Sequence, residues 1–175
     1  MHERHIIGLS GPAGSGKTMG AMHLVKAHDF IRIRFAGPLK NMMAALGLTG
    51  HQIDGGEKEE PTYLLGEKTP RYAMQTIGTE WGRNMIHPDI WVRAWEQSLP
   101  EDADVVVDDV RFPNEVAAIR RLGGDVIRIC RDGHEPGEHI SEQEAGCDLM
   151  WANNGMPEEL FNQLDHFLFF EEMGI

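Results

Sequence analysis

Cysteine is scarce in this chain, which has only Cys130 and Cys147 among its 175 residues. The two do not form a C-x-x-C pair, so the spacing typical of thiolate metal sites and redox-active dithiols is lacking. Two cysteines are also too few for the disulfide framework of a small secreted protein. We therefore expect reduced thiols and a cytoplasmic location.

Long hydrophobic runs are also lacking. The first apolar run, residues 6–9, is far shorter than the roughly 20 residues of a membrane-spanning helix. It is too short for the core of a signal peptide as well. We therefore expect no membrane as a partner of this protein.

Basic residues are outnumbered, because 16 lysines and arginines stand against 28 aspartates and glutamates, a formal net charge of −12. A protein that binds a nucleic-acid polymer along a broad face needs a basic surface to neutralise the phosphates. The composition therefore argues against a nucleic-acid polymer as a partner. It does not exclude a small anionic ligand in a local basic pocket.

The sequence does contain short apolar segments that alternate with longer amphipathic ones. Strands are predicted at 6–9, 30–35, 104–109, 126–130 and 149–152. Helices are predicted at 19–27, 39–46, 71–85, 88–99, 113–122 and 157–173. This order predicts an α/β fold in one domain, with a mainly parallel five-stranded sheet between two helical layers.

Two polar stretches interrupt the alternation. Residues 49–70 are predicted to be irregular or mobile. Residues 131–147 contain two glycines and a proline within their first seven positions and are predicted to form a long loop or lid.

A glycine-rich motif follows the first predicted strand. Residues 11–18 are GPAGSGKT, which matches G-x-x-x-x-G-K-[ST], with a helix predicted just after it. In such a loop the backbone N–H groups point at phosphate oxygens, a lysine reaches the outer phosphates and a hydroxyl coordinates Mg²⁺. The predicted ATP-binding residues are Gly11, Ala13, Gly14, Ser15, Gly16, Lys17 and Thr18, the last also being the predicted metal ligand.

The predicted strand at 104–109 ends on two acids, Asp108 and Asp109. An acid at the tip of a neighbouring strand can orient the water shell of a metal ion or hold a substrate hydroxyl, or it can simply be solvated. In the turn that follows, the Arg111 guanidinium can make a two-pronged contact with a phosphate. Alternatively, it forms a solvated ion pair with Glu115 that contributes little.

The predicted helix at 71–85 has two faces at 3.6 residues per turn. Its apolar stripe consists of Met74, Ile77, Trp81 and Met85. Its polar stripe consists of Arg71, Gln75, Thr79 and Arg83, which either lines a phosphate pocket or is the solvent-exposed side of the helix.

Taken together, these segments resemble the bacteriophage deoxynucleoside monophosphate kinases, a branch of the P-loop nucleotide kinases. The resemblance is carried by residues 11–18, FAGPLK at 35–40, Arg71 with QTIGTEWGR at 75–83, Trp91-Val92, DVRFPNE at 109–115 with Gly123-Gly124, HISE at 139–142 and Asn153-Asn154-Gly155. The segments at 75–83 and 109–115 are more selective than the loop. The chain departs from the family at Gly37, where the family often has Asp.

The resemblance implies transfer of the γ-phosphate of ATP to a deoxynucleoside 5′-monophosphate (dNMP), with Mg²⁺ as cofactor. By position Arg71 resembles the catalytic arginine of the family and would act beside Lys17 and Thr18. Arg131 would add a positive charge from the lid. The implied dNMP-binding residues are Lys40, Arg71, Gln75, Arg83, Trp91, Asp109, Arg111 and Glu115, with Trp91 able to stack on the base.

Two other functions stay open on the sequence alone. A kinase for another small acceptor, such as a coenzyme precursor, would share the loop, although Arg71, Arg83 and Arg111 favour a phosphorylated acceptor. A nucleotide-dependent switch or assembly ATPase is the other, but the sequence lacks the N-K-x-D motif of a guanine-selecting switch. The apolar residues 167–170 fit either the core or a homodimer contact, and the core is the preferred interpretation.

Overall fold

The computed structural model describes residues 4–133 and 146–173. The chain divides into two compact units, which we call the sheet unit (Met1–Arg34 with Leu99–Ile175) and the helical unit (Phe35–Ser98). Residues 134–145, with His134, His139 and most of the predicted lid, lie outside the described residues. That the chain acts as a single domain with a lid therefore stays a prediction.

The sheet unit is built on five parallel strands. They are β1 Ile6–Ser10, β2 Ile31–Arg32, β3 Val105–Val107, β4 Asp125–Cys130 and β5 Leu149–Ala152. Their spatial order is β2-β3-β1-β4-β5, and every pairing is parallel. All residues of the central β1 are buried, as expected for a strand covered on both faces. The predicted parallel sheet is confirmed.

The α-helices of the described residues number seven. They are α1 Lys17–Ala27, α2 Gly37–Ala45, α3 Gly50–Ile53, α4 Pro70–Thr76, α5 Ile90–Gln97, α6 Pro113–Arg121 and α7 Pro157–Met173. Within the described residues, none of them combines the length and the apolar character needed to cross a membrane.

The two faces of the sheet carry different helices. On one face Leu9 joins a buried cluster with Leu24 of α1 and Leu164 of α7. On the other face a Cβ added to Gly8 would lie 2.6 Å from the Cδ1 atom of Ile119 in α6, so glycine allows this helix to approach closely. The predicted three-layer α/β/α arrangement is therefore present.

The second strand is shorter than the predicted 30–35. β2 covers only two residues, because it is an edge strand that pairs solely with the three-residue β3. One further backbone bond, from the Ile33 N–H to the Val106 carbonyl (3.0 Å), extends the contact before the chain leaves the sheet.

The helical unit has its own core of Leu39, Met43, Leu48, Ile53 and Trp91. α2 begins at Gly37, two residues before the predicted start, since proline is well tolerated in the first turn of a helix. Residues 49–70, predicted to be irregular, contain α3 and two 3₁₀ turns, Gly56–Glu59 and Tyr63–Leu65. α3 starts with a reciprocal capping box between Thr49 and Gln52, a pattern readable from the sequence.

The predicted helix at 71–85 changes type along its length. α4 continues into a π-helix, Ile77–Ile86, in which each N–H bonds to the carbonyl five residues earlier, as His87 does to Gly82 (3.0 Å). The wider turn rotates later side chains away from a 3.6-residue stripe. Trp81 is 38% and Met85 74% exposed, so the predicted apolar stripe is wrong beyond Ile77.

Candidate active site

The glycine-rich loop connects the carboxyl end of β1 to α1. Gly11, Gly14 and Gly16 have φ angles of 130°, 78° and 108°, a region that side chains rarely adopt. A Cβ on Gly11 would also lie 2.2 Å from the Ile129 carbonyl oxygen. Both constraints require glycine, and they give the loop the curled path that a phosphate cradle needs.

Lys17 is the first residue of α1 and bends back over the loop. Its Nζ atom donates hydrogen bonds to the carbonyl oxygens of Gly11 (2.7 Å) and Pro12 (2.6 Å). The ammonium group is therefore held above the loop, next to the positive end of the α1 dipole. A phosphate in the cradle would meet both positive charges.

Asp108 follows β3 and its side chain is almost fully buried beside the loop. Its carboxylate accepts a hydrogen bond from the Thr18 hydroxyl (2.9 Å). It also receives the guanidinium of Arg32, from Nε (2.8 Å) and from Nη2. The hydroxyl and the carboxylate are hard oxygen donors, so this pair fits a magnesium ion.

The sequence did not decide between the two neighbouring acids and gave no role to Arg32. The family resemblance implies that Asp109 binds the dNMP, whereas in the structure it is Asp108 that accepts a hydrogen bond from Thr18. Asp109 is half-buried. The signal available for Arg32 was its place as a basic residue within the predicted strand at 30–35.

Asn153 is a third residue whose contribution was missed. It follows β5, is 4% exposed, and donates from Nδ2 to the Ser15 carbonyl oxygen (2.7 Å). A Cβ on Gly16 would lie 2.3 Å from that Nδ2 atom. The amide therefore tethers the middle of the loop to the far strand of the sheet.

The turn at 109–115 is organised by Glu115. This residue is 2% exposed, and its Oε2 atom accepts from the backbone N–H groups of Arg111 (2.7 Å) and Phe112 (3.0 Å). The carboxylate thereby fixes the start of α6 and the path of the turn. The Arg111 side chain is exposed.

Four cations lie along one edge of the sheet unit. Lys17 follows β1, Arg32 ends β2, Arg111 follows β3, and the exposed Arg131 follows β4 directly. Since the strands are parallel, their carboxyl ends meet at the same edge. Cationic side chains therefore lie at the ends of four of the five strands, at the edge where a doubly wound sheet binds its ligand, and the charge of Arg32 there is offset by Asp108.

The other predicted site residues belong to the helical unit. Arg71 stands in the first turn of α4 and forms an ion pair with Glu59, both side chains being exposed. Lys40 of α2 is paired with Asp54. Gln75 is exposed, and Arg83 donates from Nη1 to the Pro88 carbonyl (3.3 Å).

Trp91 has a defined structural position in the helical unit. It is 5% exposed, and its indole N–H donates to the Gly78 carbonyl in the π-helix (2.8 Å). Its ring lies against the buried Gly82, where an added Cβ would be 2.7 Å from Cζ2. The neighbouring Trp81 is the more exposed ring, and base stacking by Trp91 stays a prediction.

Comparison with known families agrees with this geometry. A family model described as deoxynucleotide monophosphate kinase matches residues 66–164. A protein of Acanthamoeba polyphaga mimivirus, provisionally named a deoxynucleotide monophosphate kinase, is 36% identical over 180 residues, covering 91% of this chain and 93% of its own length. The deoxynucleoside-5′-monophosphate kinase of Escherichia phage T5 is 43% identical over 75 residues, covering 42% of this chain and 30% of its own length.

Solved structures show the same fold at low sequence identity. Shikimate kinase from Aquifex aeolicus has a TM-score of 0.57 at 12% identity and covers 97% of this chain and 99% of its own. The protein TT1252 from Thermus thermophilus has a TM-score of 0.51 at 15% identity, covering 95% of this chain and 97% of its own.

Proposed function

Because this chain belongs to the deoxynucleotide monophosphate kinase family, we propose that it transfers the γ-phosphate of ATP to a dNMP, giving the diphosphate. The observation that carries the proposal is the phosphate cradle with the Thr18–Asp108–Arg32 chain at the cationic edge of the sheet. The viral origin of the relatives is consistent with action in the cytoplasm of an infected cell. The comparisons do not favour the two alternatives left open by the sequence.

The donor nucleotide is proposed to bind at the glycine-rich loop. Backbone N–H groups of residues 11–18 would point at its phosphate oxygens. Lys17 would exchange its two carbonyl acceptors for phosphate oxygens. Arg131 would offer a further cation from the end of β4.

Thr18 and Asp108 are the residues that would hold magnesium with the donor nucleotide. The ion, when bound, offsets the negative charge of the phosphates that flank the bond to be broken. Asp108 is paired with Arg32, which supplies the opposite charge inside a buried setting. Thr18 is held in place by its bond to the same carboxylate.

The residues proposed to bind the dNMP are those that the family resemblance implies. Among them Asp109 and Arg111 would contact it, and Glu115 would act by shaping the turn in which they lie. The others are Lys40, Arg71, Gln75, Arg83 and Trp91. Guanidinium groups suit this role because they bind a phosphate through two parallel hydrogen bonds.

Phosphoryl transfer needs no covalent intermediate with the protein. It needs the two anions held in line, with the charge of the moving group offset by nearby cations. Lys17 and Arg71 are proposed to supply that charge. Arg71 would first leave Glu59, an exchange that costs little because an exposed ion pair contributes little.

The test is a panel of ribo- and deoxyribonucleoside monophosphates, each incubated with ATP and Mg²⁺ and separated by chromatography. We expect diphosphate products from one or more deoxynucleotides, and Lys17→Ala should abolish them without loss of fold by circular dichroism. Lys26→Ala, a change near the other end of α1, is the matched control and should keep full turnover. Conversion of ATP to ADP without phosphorylation of the added monophosphate would refute the proposal in favour of a switch or ATPase.

A further inference from the structure

A second polar cluster lies in the sheet unit, at the end of α1 opposite the glycine-rich loop. It consists of His23 in α1, His28 just after α1, and Asp165 in α7. The Nε2 atoms of His23 and His28 lie 2.6 Å and 2.8 Å from the same Asp165 carboxylate oxygen, Oδ1. Nothing in the phosphoryl-transfer chemistry above uses these three side chains.

The cluster is held in place by its surroundings. The His23 ring stacks on Phe161 of α7, with ring centres 4.3 Å apart and planes 6° apart. The His28 ring meets the His23 ring edge-on at 5.7 Å. Behind them, Leu24 of α1 packs with Leu160 and Leu164 of α7 in the core of the unit. The two helices therefore present the three polar groups at a fixed separation.

The donor set suits a particular class of ion. Imidazole nitrogens with a carboxylate oxygen are ligands typical of zinc and related divalent metals, whereas Mg²⁺ prefers oxygen alone. One ligand atom from each residue lies within 4.8 Å of the others. In a tetrahedral site with bonds of about 2.1 Å, ligand atoms are about 3.4 Å apart, so small side-chain rotations would admit an ion.

The electrostatics at this place also favour a cation. The C-terminal end of α1 carries the negative end of the helix dipole, and His28 caps it. Asp165 adds a carboxylate at the same place, its Oδ1 atom lying within hydrogen-bonding distance of both histidine rings.

We propose that His23, His28 and Asp165 form a binding site for a divalent transition-metal ion of the zinc class. The protein supplies three ligands, and water completes the coordination because the side chains are 16%, 32% and 41% exposed. The ion joins the end of α1 to α7 and so stabilises the helix that begins with Lys17 and Thr18. The site requires no nucleotide.

The test is calorimetric titration of the full chain with Zn²⁺ in the absence of nucleotide and Mg²⁺. We expect one Zn²⁺ to bind per chain and to raise the melting temperature, since a ligand of the native state stabilises it. Co²⁺ serves as a second probe, because its visible absorption reports coordination by nitrogen and oxygen in a four-coordinate site.

Variants separate this site from the other histidines of the chain. Asp165→Asn and His28→Gln should each weaken Zn²⁺ binding about tenfold or more and remove the thermal shift. The matched control is His166→Gln, an exposed neighbour on α7 that should bind as the unaltered protein does. Binding that is absent from the unaltered protein, or equal in all three variants, would overturn the proposal. The readout is independent of kinase activity.

Discussion

Asp108 shows at the scale of a single residue how burial assigns a role. Two adjacent acids follow β3, and the carboxylate of Asp108 is directed at both Thr18 and Arg32. Its side chain is 2% exposed, and a charge removed from water to this degree requires partners. The ion pair between Asp108 and Arg32 therefore stabilises the structure beside the glycine-rich loop, unlike an ion pair on the solvated surface.

Removing the Arg32 side chain should destabilise the protein, because the Asp108 carboxylate would stay buried without its partner. Arg32→Ala leaves the Asp108 carboxylate without its guanidinium partner, and we expect the free energy of unfolding to fall by about 3 kcal/mol. Chemical denaturation followed by circular dichroism measures it. Arg121→Ala, an exposed change at the end of α6, is the control and should cost under about 0.5 kcal/mol. Equal effects of the two changes would contradict the structural role of Arg32.

Arg71 differs from Arg32 in being exposed and weakly held by Glu59. If it contacts the moving phosphoryl group only in the transition state, Arg71→Ala should lower kcat by about 100-fold or more with a much smaller change in the KM for the dNMP. Steady-state kinetics with a saturating donor measure both constants. A change confined to KM would make Arg71 a binding residue alone.

At the scale of an element, the π-helix Ile77–Ile86 is the main difference from the α-helix predicted at 71–85. π-helical turns are rare and frequently occur at functional sites. This one overlaps the segment 75–83 that carries the family resemblance. It also brings the Gly78 carbonyl to the indole N–H of Trp91 and seats the ring against Gly82.

Gly82 should be the sensitive position of this element. In Gly82→Ala the new Cβ would lie 2.7 Å from Trp91 Cζ2 and 2.9 Å from the Ile77 carbonyl oxygen. We expect a loss of about 1–3 kcal/mol of stability and an altered tryptophan fluorescence spectrum as the ring shifts. Gly50→Ala is the control, because nothing lies within 4 Å of its added Cβ. An unchanged spectrum in Gly82→Ala would contradict the packing.

Elements differ in how far the sequence predicts them. β5 and α7 have the predicted bounds, 149–152 and 157–173, because strong local patterns and a flanking turn mark them. The π-helix was not predictable, since its residues fit a 3.6-residue period equally well and only packing on Trp91 distinguishes the two. β2 was predicted too long because alternation reports side-chain direction and not the length of the partner strand.

At the scale of the whole molecule, the charge distribution of the protein favours small anionic ligands over nucleic-acid polymers. The net charge is −12, yet Lys17, Arg32, Arg111 and Arg131 mark the carboxyl edge of the sheet. A local cationic edge suffices for a nucleotide, whereas a polymer must also approach the acidic surroundings.

We therefore expect no binding of single- or double-stranded DNA at physiological ionic strength. Fluorescence anisotropy of labelled oligonucleotides measures it, with a labelled ATP analogue as the positive control on the same protein. Oligonucleotide binding that weakens with added salt would show a basic surface that the composition does not suggest.

The sequence by itself determined the α/β class, the phosphate loop and the family, because these depend on local motifs and on hydrophobic periodicity. Only the tertiary structure decided that Asp108 faces Thr18, that Arg32 neutralises it, and that Asn153 tethers the loop. These contacts join residues far apart in the chain, and a pattern in one segment carries no information about which distant side chain will meet it. The cluster of His23, His28 and Asp165 arises in the same way, from the packing of α1 on α7.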